Sequence, residues 1–377
     1  MKLLPTGCYL NWIADFLKNR TQTVFLNKTY SYPTPVLSGV PQGSVLGPIL
    51  FILFINDLPN TIQNSTVLTF ADDTKVVSKV STVADTINLQ SDLNQIIAWS
   101  IKNNMELNKN KFQLISHKLT TDNNNLKFLK ILPLHNEFTS YNISQQIILS
   151  PTASVKDLGL YINCDLDWDL HISNITRKAR QMSGWVLSIF HSRDKQVMLT
   201  IFNSLVLSRL EYCCELYDPY LIKNINRLEQ VQRSFTFKIK GMKEFNYWER
   251  LVHLNILSLQ RRRERAIITH VWKILNGLYP NTIQLTFQTH SRTNSMKAKL
   301  KPLPKLRGRP LTQYEQSFVI KGAKLWNVLP PKLTHINNLN LFKSELKNFL
   351  SKIPDKPPLP GYPFLNNNSL LEQSVFK

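Results

Sequence analysis

The sequence has few cysteines, glycines and acidic residues, and each shortage argues against a class of protein. Its cysteines form no Cys-x-x-Cys pair and accompany no paired histidine motif, so a zinc site and a disulfide framework are both unsupported; they are Cys8, Cys164, Cys213 and Cys214. Only 11 glycines stand beside 20 prolines, which favours helices with defined breaks over a flexible linker protein.

Long apolar runs are missing as well. The longest extends over residues 48–55, which is too short to cross a bilayer. Residues 1–5 lack the apolar segment of a signal peptide. These absences predict an intracellular protein without a membrane partner, in the nucleus or in a cytoplasmic ribonucleoprotein, and the choice between the two stays open.

Positive charge is abundant. Lys and Arg number 46 against 25 acidic residues, which gives a net charge of +21. Such an excess favours a polyanionic partner, because neutralised phosphates release counterions. A generic basic protein, bound to ribosomes or to a membrane surface, is the alternative.

Two clusters of basic residues are candidates for nucleic-acid contact. The first is Arg261, Arg262 and Arg263, although arginines on a helix most often form a solvated face. The second lies within residues 291–310, which contain no acid; its candidate residues are Lys297, Lys299, Lys301, Lys305, Arg307 and Arg309.

The pattern of apolar residues predicts an α+β protein with four regions. Residues 1–165 mix helical and strand periodicity, whereas residues 166–285 show helical spacing throughout. A basic region, 286–350, and a proline-rich tail, 351–377, follow. The tail is expected to be extended or disordered. With 43 % apolar residues, the chain has the composition of a globular protein.

Residues 66–80 form the clearest hairpin candidate. Two β-rich segments flank Ala71-Asp72-Asp73-Thr74. Adjacent aspartates commonly occupy turns, and they also supply the hard oxygen ligands that magnesium prefers. The turn alone does not decide between these readings.

The order and spacing of three segments resemble the reverse transcriptases of non-LTR retrotransposons, most closely the jockey-like and CR1-like LINE elements. These segments are residues 39–51 (GVPQGSVLGPILF), 55–59 (INDLP) and 70–74 (FADDT). Matches to later family segments, such as Leu107-Asn108 with Lys111 and Leu158-Gly159, extend the resemblance over most of residues 9–350.

The resemblance implies a right-hand polymerase that copies RNA into DNA with magnesium. Residues 1–165 would be a partial palm and fingers, followed by an all-helical thumb and C-terminal region. The implied partners are an RNA template, a DNA primer and deoxynucleoside triphosphates. The implied catalytic and metal-binding residues are Asp72 and Asp73, and the implied template- or nucleotide-binding residues are Pro41, Gln42, Gly43, Phe70, Ala71 and Lys111. A solvated lysine is an equal alternative for Lys111.

The sequence departs from the family at one catalytic position. The family's third metal-binding aspartate precedes a helix matched here by Trp12, Leu17 and Arg20, and no counterpart is found. Asp15 is the only acid before Asp57, and it falls within that helix. We therefore expect no templated DNA synthesis from this chain. A non-catalytic RNA- or DNA-binding remnant and a decayed genomic fragment are the alternatives.

Overall fold

The chain divides into two compact units. A computed structural model describes residues 7–108, 111–120, 130–132, 141–144, 147–279, 288–289, 300–301, 317–353, 355–356 and 368–371. The first unit, here the hairpin unit, comprises Met1–Leu114 and His135–Pro151; the second, the helical unit, comprises Ile115–Leu134 and Thr152–Lys377. The mixture of helices and strands confirms the α+β class.

The elements follow one another in a fixed order. The helices are α1 (Cys8–Leu17), α2 (Leu46–Ile55), α3 (Val83–Lys102), α4 (Asp169–Ile189), α5 (Lys195–Ile201), α6 (Ser208–Glu211), α7 (Ile222–Thr236), α8 (Tyr247–Leu254), α9 (Leu259–Leu275), α10 (Phe318–Val328), α11 (Pro331–Thr334) and α12 (Leu339–Ser351). A 3-10 turn, Leu58–Thr61, follows α2, and a π-helical segment, Phe202–Leu207, joins α5 to α6. No helix in the described part of the chain combines the length and apolar character that a bilayer span requires.

The strands pair as antiparallel ribbons of two. They are β1 (Thr21–Gln22), β2 (Phe25–Leu26), β3 (Thr29–Tyr30), β4 (Thr34–Pro35), β5 (Thr66–Phe70), β6 (Asp73–Val77), β7 (Lys118–Thr120), β8 (Lys130–Leu132), β9 (Tyr141–Ser144), β10 (Ile147–Leu149), β11 (Ser154–Asp157), β12 (Leu160–Asn163), β13 (Gln288–Thr289) and β14 (Leu300–Lys301). β1 pairs with β4 around the β2–β3 hairpin, and the other strands pair with their neighbours in sequence.

The hairpin unit has a small apolar core. In its described part the main buried cluster is Ile55, Leu58, Ile96 and Trp99, and Val76 of β6 packs against it. The periodicity of residues 81–105 correctly predicts α3, whose start is fixed by a capping box. There the Thr82 hydroxyl accepts a hydrogen bond from the Asp85 amide, and the Asp85 carboxylate accepts one from the Thr82 amide.

The run of apolar residues over 49–58 predicts a buried helix, and the structure shows that this prediction is wrong for α2. Its sequence is apolar on every side, yet Ile49, Ile52, Leu53 and Phe54 are all exposed. The face that carries Ile55, with the half-buried Phe51 beside it, packs on the α3 core, and the exposed Phe54 makes an edge-to-face contact with Trp99. Covering the whole of α2 would require neighbours on every side, and the described residues supply them on one.

The helical unit contains two apolar clusters. The first joins α4, the α5–α6 segment and α7, and includes Ile172, Phe202, Val206, Leu228 and Phe235. The second lies between the C-terminal half of α9 and the last helices, and includes Val271, Trp272, Trp326, Phe342 and Leu346. Because α9 contributes to both clusters, it is the central element of this unit.

The division into units falls before the seam that the sequence suggests near residues 165–168. It places the β11–β12 hairpin with the helices, whereas the sequence groups this hairpin with region 1–165. Much of the predicted basic region and most of the predicted proline-rich tail lie outside the described residues.

Candidate metal-binding turn

The predicted turn forms a tight connection between β5 and β6. Phe70 pairs with Asp73, so Ala71 and Asp72 are the two residues of the loop. Ala71 has φ 51°, in the left-handed region that two-residue hairpins normally fill with glycine. An L-residue there costs roughly 1–2 kcal/mol, so the pairing of the strands must hold this conformation.

Both candidate carboxylates are accessible. Asp72 lies at the tip of the hairpin and Asp73 begins β6, and both residues are exposed, as are Ala71 and Phe70. Carboxylate oxygens are ligands that magnesium accepts. However, no group of three His, Cys, Asp or Glu side chains suited to a metal occurs among the described residues. The pair therefore has the right chemistry but does not by itself form a complete site.

Helix α3 fixes the segment that leads into the hairpin. The buried Asp92 carboxylate accepts hydrogen bonds from the backbone amides of Gln63, at 3.3 Å, and Asn64, at 3.2 Å. Burial raises the pKa of Asp92, but the polar groups of Ser65, Gln63 and Asn64 together outweigh burial and hold the pKa below its usual value. Directly before the 3-10 turn Leu58–Thr61, the Trp99 indole of α3 donates a hydrogen bond to the Asp57 carboxylate at 3.0 Å. Both contacts position the strand that carries the candidate turn.

Sequence reasoning did not identify Asp92 as a supporting residue. The available signal is its place on the apolar stripe of α3, three residues after Leu89 and four before Ile96. An acid on the buried face of an amphipathic helix requires hydrogen-bond donors, which here are the amides before β5.

The loop over residues 38–44 is braced by its own side chains. The Ser44 hydroxyl donates to the Pro41 carbonyl at 2.7 Å and accepts from the Gly47 amide at 3.0 Å. A Cβ on Gly47 would lie 2.9 Å from the Pro41 carbonyl oxygen, so glycine is required there. Gly43 has φ 81°, and Gln42 is exposed beside it. The loop is thus preformed, with Gln42 presented to solvent.

Arg20 ties this loop to the first helix. Its guanidinium donates to the Gly39 carbonyl at 2.6 Å and to the Ser38 carbonyl at 3.3 Å, while its Nε donates to Leu17 of α1 at 2.9 Å. The sequence marked Arg20 only as part of a family match. Its contacts give it a structural role, which is to hold the loop entering α2.

Lys111 is exposed and does not lie on a strand. Its amide donates to the Asn108 carbonyl at 3.0 Å. The pattern of residues 107–115 predicts a strand, but the described part of that range contains only a single bridge at Leu114. A role for Lys111 at a triphosphate stays a prediction.

The arginine cluster faces inward, which corrects its interpretation as a nucleic-acid surface. Arg261 and Arg263 are 0 % and 2 % exposed, and Arg263 Nε donates to Asp218 at 3.0 Å. Arg262 is paired with Glu211. Arg261 and Arg263 are therefore too buried to meet a phosphate, and Arg262 is engaged by Glu211. Of the second cluster, Lys297, Lys299, Lys305, Arg307 and Arg309 lie outside the described residues, and Lys301 is described only as the end of β14.

Comparisons with known proteins confirm the family resemblance. Residues 2–159 match the family described as reverse transcriptase (RNA-dependent DNA polymerase). The RNA-directed DNA polymerase from mobile element jockey of Drosophila melanogaster is 26 % identical over 252 residues, which is 64 % of this chain and 26 % of the relative. No solved structure matches the chain.

Two further Drosophila melanogaster proteins show the same degree of similarity. The probable RNA-directed DNA polymerase from transposon X-element is 24 % identical over 63 % of this chain and 25 % of its own length. The corresponding protein from transposon BS is 25 % identical over 61 % of this chain and 25 % of its own length. The chain thus spans about a quarter of the length of these relatives.

Proposed function

We propose that this chain, which is similar to the reverse transcriptases of non-LTR retrotransposons, is part of an RNA-directed DNA polymerase. Residues 1–165 contribute to the palm and fingers, residues 166–285 form the helical thumb and connection, and the basic C-terminal region follows. The observation that carries the proposal is the β5–β6 turn, whose strained Ala71 and exposed Asp72 and Asp73 lie within the matched region. Its substrates are deoxynucleoside triphosphates and an RNA template with a DNA primer.

Each candidate residue has a proposed role. Asp72 and Asp73 would supply oxygen ligands for magnesium, with Asp72 as the direct ligand, and a complete site would need a third carboxylate, for which the sequence offers no counterpart. The exposed Gln42, between Pro41 and Gly43, contacts the template and the incoming nucleotide, because glycine lets the backbone approach closely. Phe70 and Ala71 shape the turn near the primer end, and Lys111 lies near the triphosphate.

We further propose that the 377 residues alone do not polymerise, because two carboxylates do not hold two ions. Primer extension on an oligo(A) template with an oligo(dT) primer, magnesium and dTTP tests this. We expect the product to stay at the level of the Asp72→Asn variant. Product that depends on Asp72 would overturn the proposed incompleteness and would at the same time support polymerase function.

A chimera tests the polymerase assignment separately. The segment that precedes the matched region in the jockey polymerase is joined to the N-terminus of this chain. Extension is then expected to fall by about 10²–10³-fold on Asp72→Asn, the range seen when one charge-stabilising group is removed from an active site. Asp15→Asn is the matched control and should leave the rate unchanged. A chimera that folds but ignores Asp72 would refute the assignment.

The alternative, a nucleic-acid-binding protein without catalysis, is favoured by the net charge of +21. Binding of an RNA oligonucleotide measured at increasing salt concentration addresses it. Phosphate contacts predict a steep loss of affinity, with a slope that grows with the number of phosphates neutralised. Affinity that does not respond to salt would exclude binding through phosphates.

A further inference from the structure

A cavity of about 550 Å³ opens between α7 and α8 in the helical unit. Its lining includes two arginines, Arg233 of α7 and Arg250 of α8, with the aromatic side chains of Tyr247 and Trp248 beside them. None of these residues belongs to the candidate turn or to the basic clusters that the sequence singles out. The cavity therefore calls for an explanation of its own.

The two arginines are gathered without a counterion. The guanidinium carbons of Arg233 and Arg250 lie 5.0 Å and 5.8 Å from the centre of the Tyr247 ring. Neither arginine makes an ion pair within the described residues, and the Nε atoms of both are buried without a hydrogen-bond partner there. Arg250 is 4 % exposed, and its Nη1 donates to the Arg233 carbonyl at 3.0 Å.

Two like charges so placed destabilise each other. Burial lowers the pKa of Arg250, and the positive charge of Arg233 lowers the same pKa further, although Tyr247 acts in the opposite direction. A buried cation is stable when it is paired and hydrogen-bonded, so an anion held between the two guanidinium groups would satisfy both.

The acids that line the cavity are already engaged. Glu249 accepts a hydrogen bond from the Asn246 amide at 2.8 Å, as part of the capping box of α8. Asp355 accepts from the Ser258 amide at 3.0 Å and from its hydroxyl at 2.7 Å, and lies 3.9 Å from Arg261. Neither carboxylate forms an ion pair with Arg233 or Arg250 among the described residues.

The aromatic lining selects the kind of anion. Trp248 is half-buried at the wall of the cavity, so part of its indole is accessible, and Val252 extends the apolar surface beside it. A phosphate fits the forked donors of arginine, and an unpaired base stacks on an indole. An acidic peptide supplies the charge without the ring, and a duplex keeps its bases stacked inside.

We propose that this cavity binds one phosphate and the neighbouring unpaired base of a single-stranded nucleic acid. The phosphate lies between Arg233 and Arg250, and the base stacks on Trp248. This binding requires neither a metal nor a nucleoside triphosphate, so it can be tested independently of polymerase activity.

Binding of a fluorescent twelve-nucleotide oligo(U) to the full chain, in EDTA and at several salt concentrations, tests the proposal. Arg233→Gln should weaken binding about tenfold and reduce the slope of log K against log salt by about 0.7. Trp248→Ala should weaken binding about tenfold without changing that slope, because stacking carries no charge. The control Arg180→Gln removes the same charge from an exposed position on α4 and should change affinity less than twofold.

Several results would overturn the proposal. One is that Arg233→Gln and Arg180→Gln change the affinity for oligo(U) equally. Another is that Trp248→Ala leaves this affinity unchanged. A third is a duplex or an oligoglutamate of matched charge that competes with the oligo(U) as well as unlabelled oligo(U) does. That result would mean that the cavity binds anions without requiring an unpaired base. Arg250→Gln is informative only if its circular dichroism and melting temperature match the wild type; otherwise Arg233→Gln and Trp248→Ala, judged by the same two measurements, decide.

Discussion

The hairpin unit and the helical unit differ in how far their large apolar side chains are buried. In the helical unit, large apolar side chains such as Phe202 and Phe342 are 1 % and 0 % exposed. In the hairpin unit, Ile52 of α2 is 57 % exposed and Phe70 beside the candidate turn is 66 % exposed. The unit that carries the candidate chemistry thus has the smaller core.

The difference shows where each unit places its polar groups. The hairpin unit uses single hydrogen-bonding residues, such as Asp92 and Arg20, to hold loops next to the candidate site. The helical unit buries whole ion pairs, as where Asp218 meets both Arg263 and Lys321. Fixing a loop needs a few directed hydrogen bonds, whereas a buried charge needs a complete set of partners.

The largest expected effect comes from breaking that ion-pair network. Burial raises the pKa of Asp218, but Lys321 and Arg263 hold it below its usual value, so the carboxylate is charged when folded. Asp218→Asn removes the charged carboxylate to which both buried cations are hydrogen-bonded, and it should lower the free energy of unfolding by about 3–5 kcal/mol. Urea denaturation followed by circular dichroism measures the loss.

A matched control separates burial from charge. Asp169 pairs with Lys223 at 2.6 Å, but their side chains are 39 % and 57 % exposed. Asp169→Asn should therefore cost less than about 1 kcal/mol. Equal losses in the two variants would contradict the claim that burial makes the Asp218 network important.

An intermediate effect is expected from pH. Burial lowers the pKa of His171 to about 4, and its Nδ1 accepts a hydrogen bond from the Tyr161 amide at 3.3 Å. Between pH 6.5 and pH 4, His171 is protonated in the unfolded chain but remains neutral in the folded protein. The contribution of His171 to the free energy of unfolding is therefore fully present above pH 6.5, and about 3 kcal/mol of it is lost as the pH falls towards 4.

The variant His171→Asn tests this dependence. Asparagine keeps an acceptor but does not titrate, so the variant should lose less stability than the wild type between pH 6.5 and 4.5. Thermal unfolding at matched ionic strength across this range measures the difference. Parallel pH profiles for the two proteins would show that His171 is not the titrating group.

Local patterns in the sequence predict much of both units. The spacing of Leu89, Leu93 and Ile97 predicts α3, and the β-rich segments around Ala71 predict the β5–β6 hairpin. Both depend on neighbours within a few residues, so periodicity and turn chemistry suffice.

Burial of charge could not be predicted in this way. Arg263 lies in a basic run that is typical of a surface, and it becomes internal because Asp218, 45 residues earlier, supplies its counter-charge. Helix α2 is the opposite case, because it is apolar in sequence but exposed in the structure. An apolar sequence shows that burial would be favourable, and it does not show that a neighbouring element is present to bury it. The cavity at Arg233 and Arg250 likewise depends on two helices meeting, which no single segment encodes.

The smallest expected effect concerns the candidate turn itself. Ala71→Gly removes the strain of a positive φ and should stabilise the hairpin by about 0.5–1 kcal/mol, which corresponds to roughly threefold slower amide exchange in β5 and β6. Hydrogen exchange measures this gain. Ala98→Gly, at an exposed position within α3, should instead destabilise its helix by about 1 kcal/mol. Faster amide exchange in β5 and β6 of Ala71→Gly would show that alanine is more stable than glycine at this position. The claim that Ala71 is strained would then be wrong.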